Sequence, residues 1–300
     1  MHAFPLLAGA LASFTVSGPG PTPAVRWGED GHRMAARAAA QALPSDIPGF
    51  FIDAGAQLVY LDPEPDRWRA RSLREMDQAF SYDHYIDLEN VPAGALDAPD
   101  RWTFVRRLYE AGIERPERDV GFLPYRIVEL YQRLVTEWRL WRAERDPQRR
   151  DWIQQRIVND AGILGHYVTD AANPHHSTIH FNGWNAGAPN PEGYTTDRTF
   201  HARFESDFVR AHVRYEDVRD RVPSAARNLA GAARPAVLAE IRESNDAVIP
   251  LYRLDKEVGF DPAGPLRART RDFAADRLAA GAAMLRDLWW SAWVESAGAP

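Results

Sequence analysis

The chain has 300 residues, 45% hydrophobic and 26% charged, enough to bury one substantial core or two small ones. Its net charge is −6 with both signs mixed throughout, which excludes a bulk nucleic-acid binder built on a basic tract. It has no cysteine, so thiolate metal sites and disulfides are excluded as well.

Residues 1–26 stand apart from the rest. "AFPLLAGALASFTV" is apolar but too short to span a membrane, and "SGPGPTPAVR" after it is a turn-rich spacer. Together they read as a signal peptide and spacer, although no Lys or Arg precedes the apolar run, and the expected location is secreted or periplasmic. No other segment approaches the ~20 apolar residues of a transmembrane helix. Residues 27–300 contain no low-complexity linker or repeat and read as one all-α domain, a single-domain helical bundle.

In chain order, an Ala-rich helix is predicted over His32–Leu43, ending near Pro44, and a second over Pro48–Tyr60. The prolines of "LDPEPDRWRARS" make a constrained loop carrying Asp62 and Asp66. "FSYDHYIDLEN" is rich in aromatic and β-branched residues, so His84 is expected in an extended segment or short strand, with Asp87 and Glu89 solvated. Helices follow over Trp102–Ile113 and Leu123 to about Arg142, with Trp138 and Trp141 packed in the core. From about Asp151 another helix runs through Trp152, Ile153, Ile157 and Leu164 into "LGHYVTDAANPHH". An irregular loop of some twenty residues comes next, and its Phe181, Trp184 and Tyr194 are candidates for a substrate-facing wall. From Arg203 onward the chain reads as helical, closing on an amphipathic helix with Leu278, Leu285, Leu288 and Trp289 toward the core.

The chemistry-bearing residues lie at helical spacing. His166 and Asp170 are four apart and leave one helix face, where both can meet one ion. Pro174 stops that helix, placing His176 in the turn beyond it. His201 and Glu205 repeat the four-residue spacing beside Phe200, Phe204 and Phe208. Five of only nine histidines stand where a metal could use them in these stretches or in "WGEDGHR" and "HYIDLEN", which supply His32 and His84. Imidazole with carboxylate suits zinc. A single pair of this kind is more often a solvated helix face. A di-iron bundle would need Glu-x-x-His pairs, and the one match, Glu29 to His32, contains Gly31 at a helix start.

Taken together these stretches resemble the zinc-dependent phospholipase C and type I single-strand nuclease superfamily. The match runs through Trp27, Gly31 and His32, then Asp66 (with Asp62 the alternative) and His84, then His166, Asp170 and His176, and finally His201 and Glu205. Thr169, where Gly is common, and Asn173, where Gln usually precedes the Pro, depart from the pattern beside ligands.

The resemblance implies a helical fold with long irregular loops around a cleft that holds three Zn2+. By that resemblance His166, Asp66, His84 and a bridging Asp170 hold one ion, Asp170, His32 and Trp27 its neighbour, and His176, His201 and Glu205 the third. The amine of Trp27 would have to be free, yet Arg26 precedes it, where signal peptidases prefer a small residue. The implied reaction is hydrolysis of a phosphodiester by an activated water, with Asp66 also guiding that water as a base. The substrate would be a phospholipid or single-stranded nucleic acid, with no obligate protein partner. Glu205 in place of Asp is closer to the phospholipase branch, whereas an aromatic loop could stack bases. The competing reading is a non-catalytic metal-binding helical protein that keeps zinc for structure. His175 and His180 are read as spare histidines.

Overall fold

The computed structural model describes residues 28–298, so the signal-peptide expectation and Trp27 lie outside the described residues. Among those residues the chain is all-helical, with one isolated bridge and no strand.

Helix α1 (Glu29–Gln41) starts three residues before the expected His32, because Glu29 and Asp30 suit the positive end of a helix dipole. Its alanines at 35, 36 and 39 are fully buried and let a neighbour approach closely. The segment expected as one helix from Pro48 is two, Gly49–Asp53 and α2 (Gly55–Leu61), broken at Ala54 and Gly55. Helix α3 (Arg101–Glu110) is capped by Asp100, which accepts the Thr103 amide at 2.9 Å. The long helices α4 (Leu123–Ala143) and α5 (Pro147–Ala172) follow. Asp146 accepts the Arg149 amide at 2.9 Å with Pro147 at the first helical position, so α5 begins earlier than Asp151. Helices α6 (Ala233–Asp246), α7 (Val248–Glu257) and α8 (Ala268–Glu295) complete the set. Residues 220–232 are irregular, which corrects the expectation of continuous helix after Arg203; Pro223 removes a backbone donor there.

Helix α5 is the axis of the molecule, packed against α2, α4, α6 and α8. From Asp160 to Ala172 every residue is buried, so one face cannot be left polar for solvent. Small residues meet that demand by letting other backbones come close. A Cβ on Gly162 would stand 2.4 Å from Leu61 Cβ, and one on Gly165 would stand 2.2 Å from Asp62 Oδ2. Trp138, Phe51 and Trp289 form a fully buried aromatic cluster, each contributing on the order of 2 kcal/mol by burial alone. The expected core face of α8 is found: Leu278, Leu285 and Leu288 are fully buried, and Trp289 donates to Ala161 O at 3.0 Å.

Candidate metal centre

Helix α5 delivers His166 and Asp170 one turn apart, both buried. It ends because Asn173, preceding Pro174, is pushed to an extended conformation (φ −86°, ψ 121°). The chain then makes a short 3-10 turn, Pro174–Ser177, which carries His176 back toward the helix end. His84 closes another 3-10 turn, Ser81–His84, and Tyr85 after it is extended, but no strand forms here among the described residues. Backbone bonds from Ile86 N to His176 O (2.9 Å) and from Leu123 N to Tyr85 O (3.1 Å) hold this segment against its neighbours. His201 and Glu205 lie on a helix of three parts, Phe200–Ala202, a π-helical stretch Arg203–Phe208, and Val209–His212. Such wide turns recur at functional sites. Phe200, Phe204 and Phe208 anchor it, all buried as their spacing implied.

These segments converge. Three groups of side chains bring ligand atoms within 4.8 Å of one another: His32 with His166 and Asp170, Asp66 with His84 and His166, and His176 with His201 and Glu205. His84 Nδ1 is 3.0 Å from both His166 Nε2 and Asp170 Oδ2, and His166 Nε2 is 3.4 Å from the same oxygen. Asp170 turns its other oxygen to His32 Nε2 at 3.5 Å, so one carboxylate stands between two groups. In the third group His201 Nε2 is 2.7 Å and His176 Nε2 3.6 Å from Glu205 Oε2. His176 Nδ1 lies 3.6 Å from Asp170 Oδ1, which joins that group to the others.

These spacings fit a small divalent cation. Tetrahedral zinc with bonds near 2.0–2.1 Å separates its ligand atoms by about 3.4 Å. Lone pairs aimed at one another from nitrogens 3.0 Å apart repel unless a proton or cation lies among them. The orphaned atoms agree: His32 Nε2 and His176 Nε2 are buried without a hydrogen-bond partner, each facing a carboxylate of its group. Their other ring nitrogens are engaged. His32 Nδ1 meets Asp62 Oδ1 at 2.8 Å, and His176 Nδ1 donates to His84 O at 2.6 Å. Fixing one ring nitrogen aims the other, as partners behind metal-bound imidazoles do.

Protonation follows the same geometry. Burial disfavours charge on His32, but the Asp170 and Asp62 carboxylates outweigh it and raise its pKa to about 10. Burial raises Asp62 to about 6, against the pull of His32. His84 is lowered to about 4 by burial and then by the charge of Arg69. His166 is held well below its ordinary value by burial and by His32. For Asp170 burial opposes charge, yet the surrounding histidines, His176 foremost, hold it well below the ordinary carboxylate range. Glu205 is lowered likewise, by His201 first, against its own burial. Asp170 and Glu205 are thus kept ionised and His84 and His166 neutral, while His32 and His176 are raised, against their own burial, by the carboxylates they face, so a cation there would displace protons.

Of the expected ligands, His32, Asp66, His84, His166, Asp170, His176, His201 and Glu205 are all brought together. Asp66 stands 3.9 Å from His166 Nε2, while Asp62 serves behind His32 and belongs to no ligand group. Asn173 matters more than its neighbour status implied: its Nδ2 donates to Glu205 Oε2 at 3.0 Å and its Oδ1 caps His175 N. Asp66, His84, Asp170, His176, His201 and Glu205 line a cleft of about 800 Å³, with His32 and His166 buried behind them, and Asp66 and His201 keep about a fifth to a quarter of their side-chain surface. Phe181 also lines it, whereas Trp184 and Tyr194 do not. Trp184 stacks on His180 at 3.7 Å and packs with Tyr194 against Tyr252, filling the inside of the loop. The cleft-wall expectation is corrected for both, because a long loop needs an apolar filling of its own. Asp87, expected to be solvated, is nine-tenths buried on the cleft wall, and burial followed by Glu89 pushes it up to about 7. Arg69, Arg71 and Arg118 line the cleft as well; without spacing to single them out, they were hidden among thirty-six basic residues.

Comparison of the chain with family models, characterised proteins and solved structures finds no match. No helix among the described residues is long and apolar enough to cross a membrane.

Proposed function

We propose that the chain is a zinc-dependent hydrolase of phosphodiester bonds that uses three ions and an activated water. One observation carries the reading: three adjoining sets of imidazole and carboxylate, joined through Asp170, each present at least one ligand to a single open cleft. His84, His166, Asp66 and Asp170 would hold one ion, Asp170 and His32 its neighbour, and His176, His201 and Glu205 the third. When bound, zinc supplies concentrated positive charge that acidifies water toward neutrality and offsets the charge that builds on a phosphate. Asp62 fixes the tautomer of His32, and Asp170 fixes the spacing of two groups by offering one oxygen to each. Asp66, on the cleft wall with Oδ1 3.3 Å from Arg69, would guide the attacking water as a base. Phe181 and Ile179 add apolar surface to the cleft, Phe181 with its ring centroid 6.4 Å from that of His201.

A second reading has its own support. Five segments between His32 and Glu205 share these ligands, so zinc would cross-link a cysteine-free chain whether or not it catalyses anything. Zinc content measured alongside hydrolysis of single-stranded DNA, RNA, phosphatidylcholine and bis(p-nitrophenyl) phosphate separates the two. Cleavage of a diester that is lost on chelation and restored by zinc supports the enzyme. A fully zinc-loaded, inactive protein favours the structural reading, and activity undiminished after exhaustive chelation rejects the mechanism.

A further inference from the structure

The cleft carries positive charge that the metal groups do not use. Arg69, Arg71 and Arg118 all reach it on the side of Asp66 and His84. Arg69 faces Asp66, but among the described residues no carboxylate forms an ion pair with Arg71 or Arg118, and both side chains are exposed. The backbone that carries Arg118 is held in place. The Arg118 carbonyl accepts Tyr85 OH at 2.8 Å, directly after the ligand His84, and Asn90 Nδ2 donates to Asp119 O at 2.7 Å. Arg71 follows two residues after Arg69. Of the carboxylates on the cleft wall, Asp66, Asp170 and Glu205 belong to ligand groups, and Asp119 faces Arg115 at 3.4 Å. That leaves Asp87 against two unpaired guanidiniums, on a molecule whose net charge is −6.

We infer that Arg71 and Arg118 form an anion subsite beside the metal groups, and that the preferred ligand carries a second phosphate next to the one the metal groups take. The planar, permanently charged fork of arginine matches phosphate oxygens in pairs. A zwitterionic choline headgroup would instead set its ammonium against two cations and be disfavoured. The subsite rests on the diesterase reading for the place of the first phosphate, and its own test is binding, not turnover.

Isothermal titration of the zinc-loaded full chain in about 50 mM salt compares thymidine 3′,5′-bisphosphate with thymidine 5′-monophosphate, and inositol 1,4-bisphosphate with inositol 1-phosphate. The wild type is expected to bind at least one bisphosphate about tenfold to thirtyfold more tightly than its monophosphate; which pair does so tells nucleotide from inositol chemistry. In Arg71→Ala/Arg118→Ala that ratio falls below about threefold, while Arg145→Ala/Arg253→Ala, with the same change of charge outside the cleft, keeps it. A wild-type ratio near one in both pairs, or a ratio the cleft variant leaves intact, overturns the subsite. If the ratio behaves as expected but bis(p-nitrophenyl) phosphate is not cleaved, the subsite stands and the diesterase reading falls; cleavage with a ratio near one gives the reverse.

Discussion

Asp62 belongs to none of the three ligand groups, yet it governs how His32 enters one of them. Its Oδ1 holds His32 Nδ1 at 2.8 Å, and its fully buried carboxylate fits only because residue 165 lacks a Cβ. Partners of this kind are worth roughly tenfold to a hundredfold in metal affinity. Asp62→Asn is therefore expected to weaken retention of one zinc by about that factor in a chelator competition, with the His176, His201 and Glu205 group unaffected. Full zinc stoichiometry at unchanged affinity would remove the orienting role. At this scale the sequence was readable where spacing alone decides geometry. His166, Asp170 and His176 needed only a helical turn and a proline stop, and His201 with Glu205 only another turn. Asp62 and Asp66 could not be ranked that way, since both sit beside Pro in what reads as one loop but is the end of α2 followed by a helical turn, Glu64–Arg67, and their roles depend on the glycine a hundred residues later that admits one of them.

Between elements, the contact of α5 with α2 allows a prediction in which two effects oppose. Gly162→Ala raises helix propensity by about 1 kcal/mol but places a Cβ 2.4 Å from Leu61 Cβ, an atom tied to backbone. Overpacking of that sort costs about 1–3 kcal/mol, so the variant should melt several degrees lower; an unchanged or higher melting temperature would show that the helices separate freely. Where α4 meets α5, Glu137 is buried beside Asp160, with Arg133 and Arg156 nearby. Burial, and then the facing Asp160 carboxylate, pushes Glu137 up to about 7. The folded state thus holds a proton that the unfolded chain releases near its ordinary 4.5, so this group's stabilisation is full below that value and is lost as pH rises through 7. Glu137→Gln should be more stable than wild type at pH 8 relative to pH 5, by thermal melting of metal-free protein. A difference that does not change with pH would contradict this. The long helices were legible because periodicity and caps are local. The break at Ala54, the 3-10 turn ending at His84 and the packed interior of the 178–199 loop were not, because each is set by what lies against it.

For the molecule as a whole, an acidic, cysteine-free chain draws segments from His32 to Glu205 together beside one cleft, where carboxylates and imidazoles are concentrated. Folding brings the carboxylates of these groups together, and a bound cation would offset their repulsion. Chelation is accordingly expected to lower the melting temperature as well as any activity, and re-added zinc to restore both in a concentration-dependent way. Protons compete for the same nitrogens, so zinc retention should fall as pH drops below about 6, toward and beyond the ordinary imidazole pKa. Retention of all zinc at pH 4 would argue against histidine ligation. The most direct measurement is anomalous diffraction at the zinc edge from zinc-saturated crystals. It should place one ion among His84, His166, Asp66 and Asp170, a second against His32 and Asp170, and a third among His176, His201 and Glu205. Saturated crystals with no zinc at these groups, or with zinc only at surface carboxylates, would contradict the account.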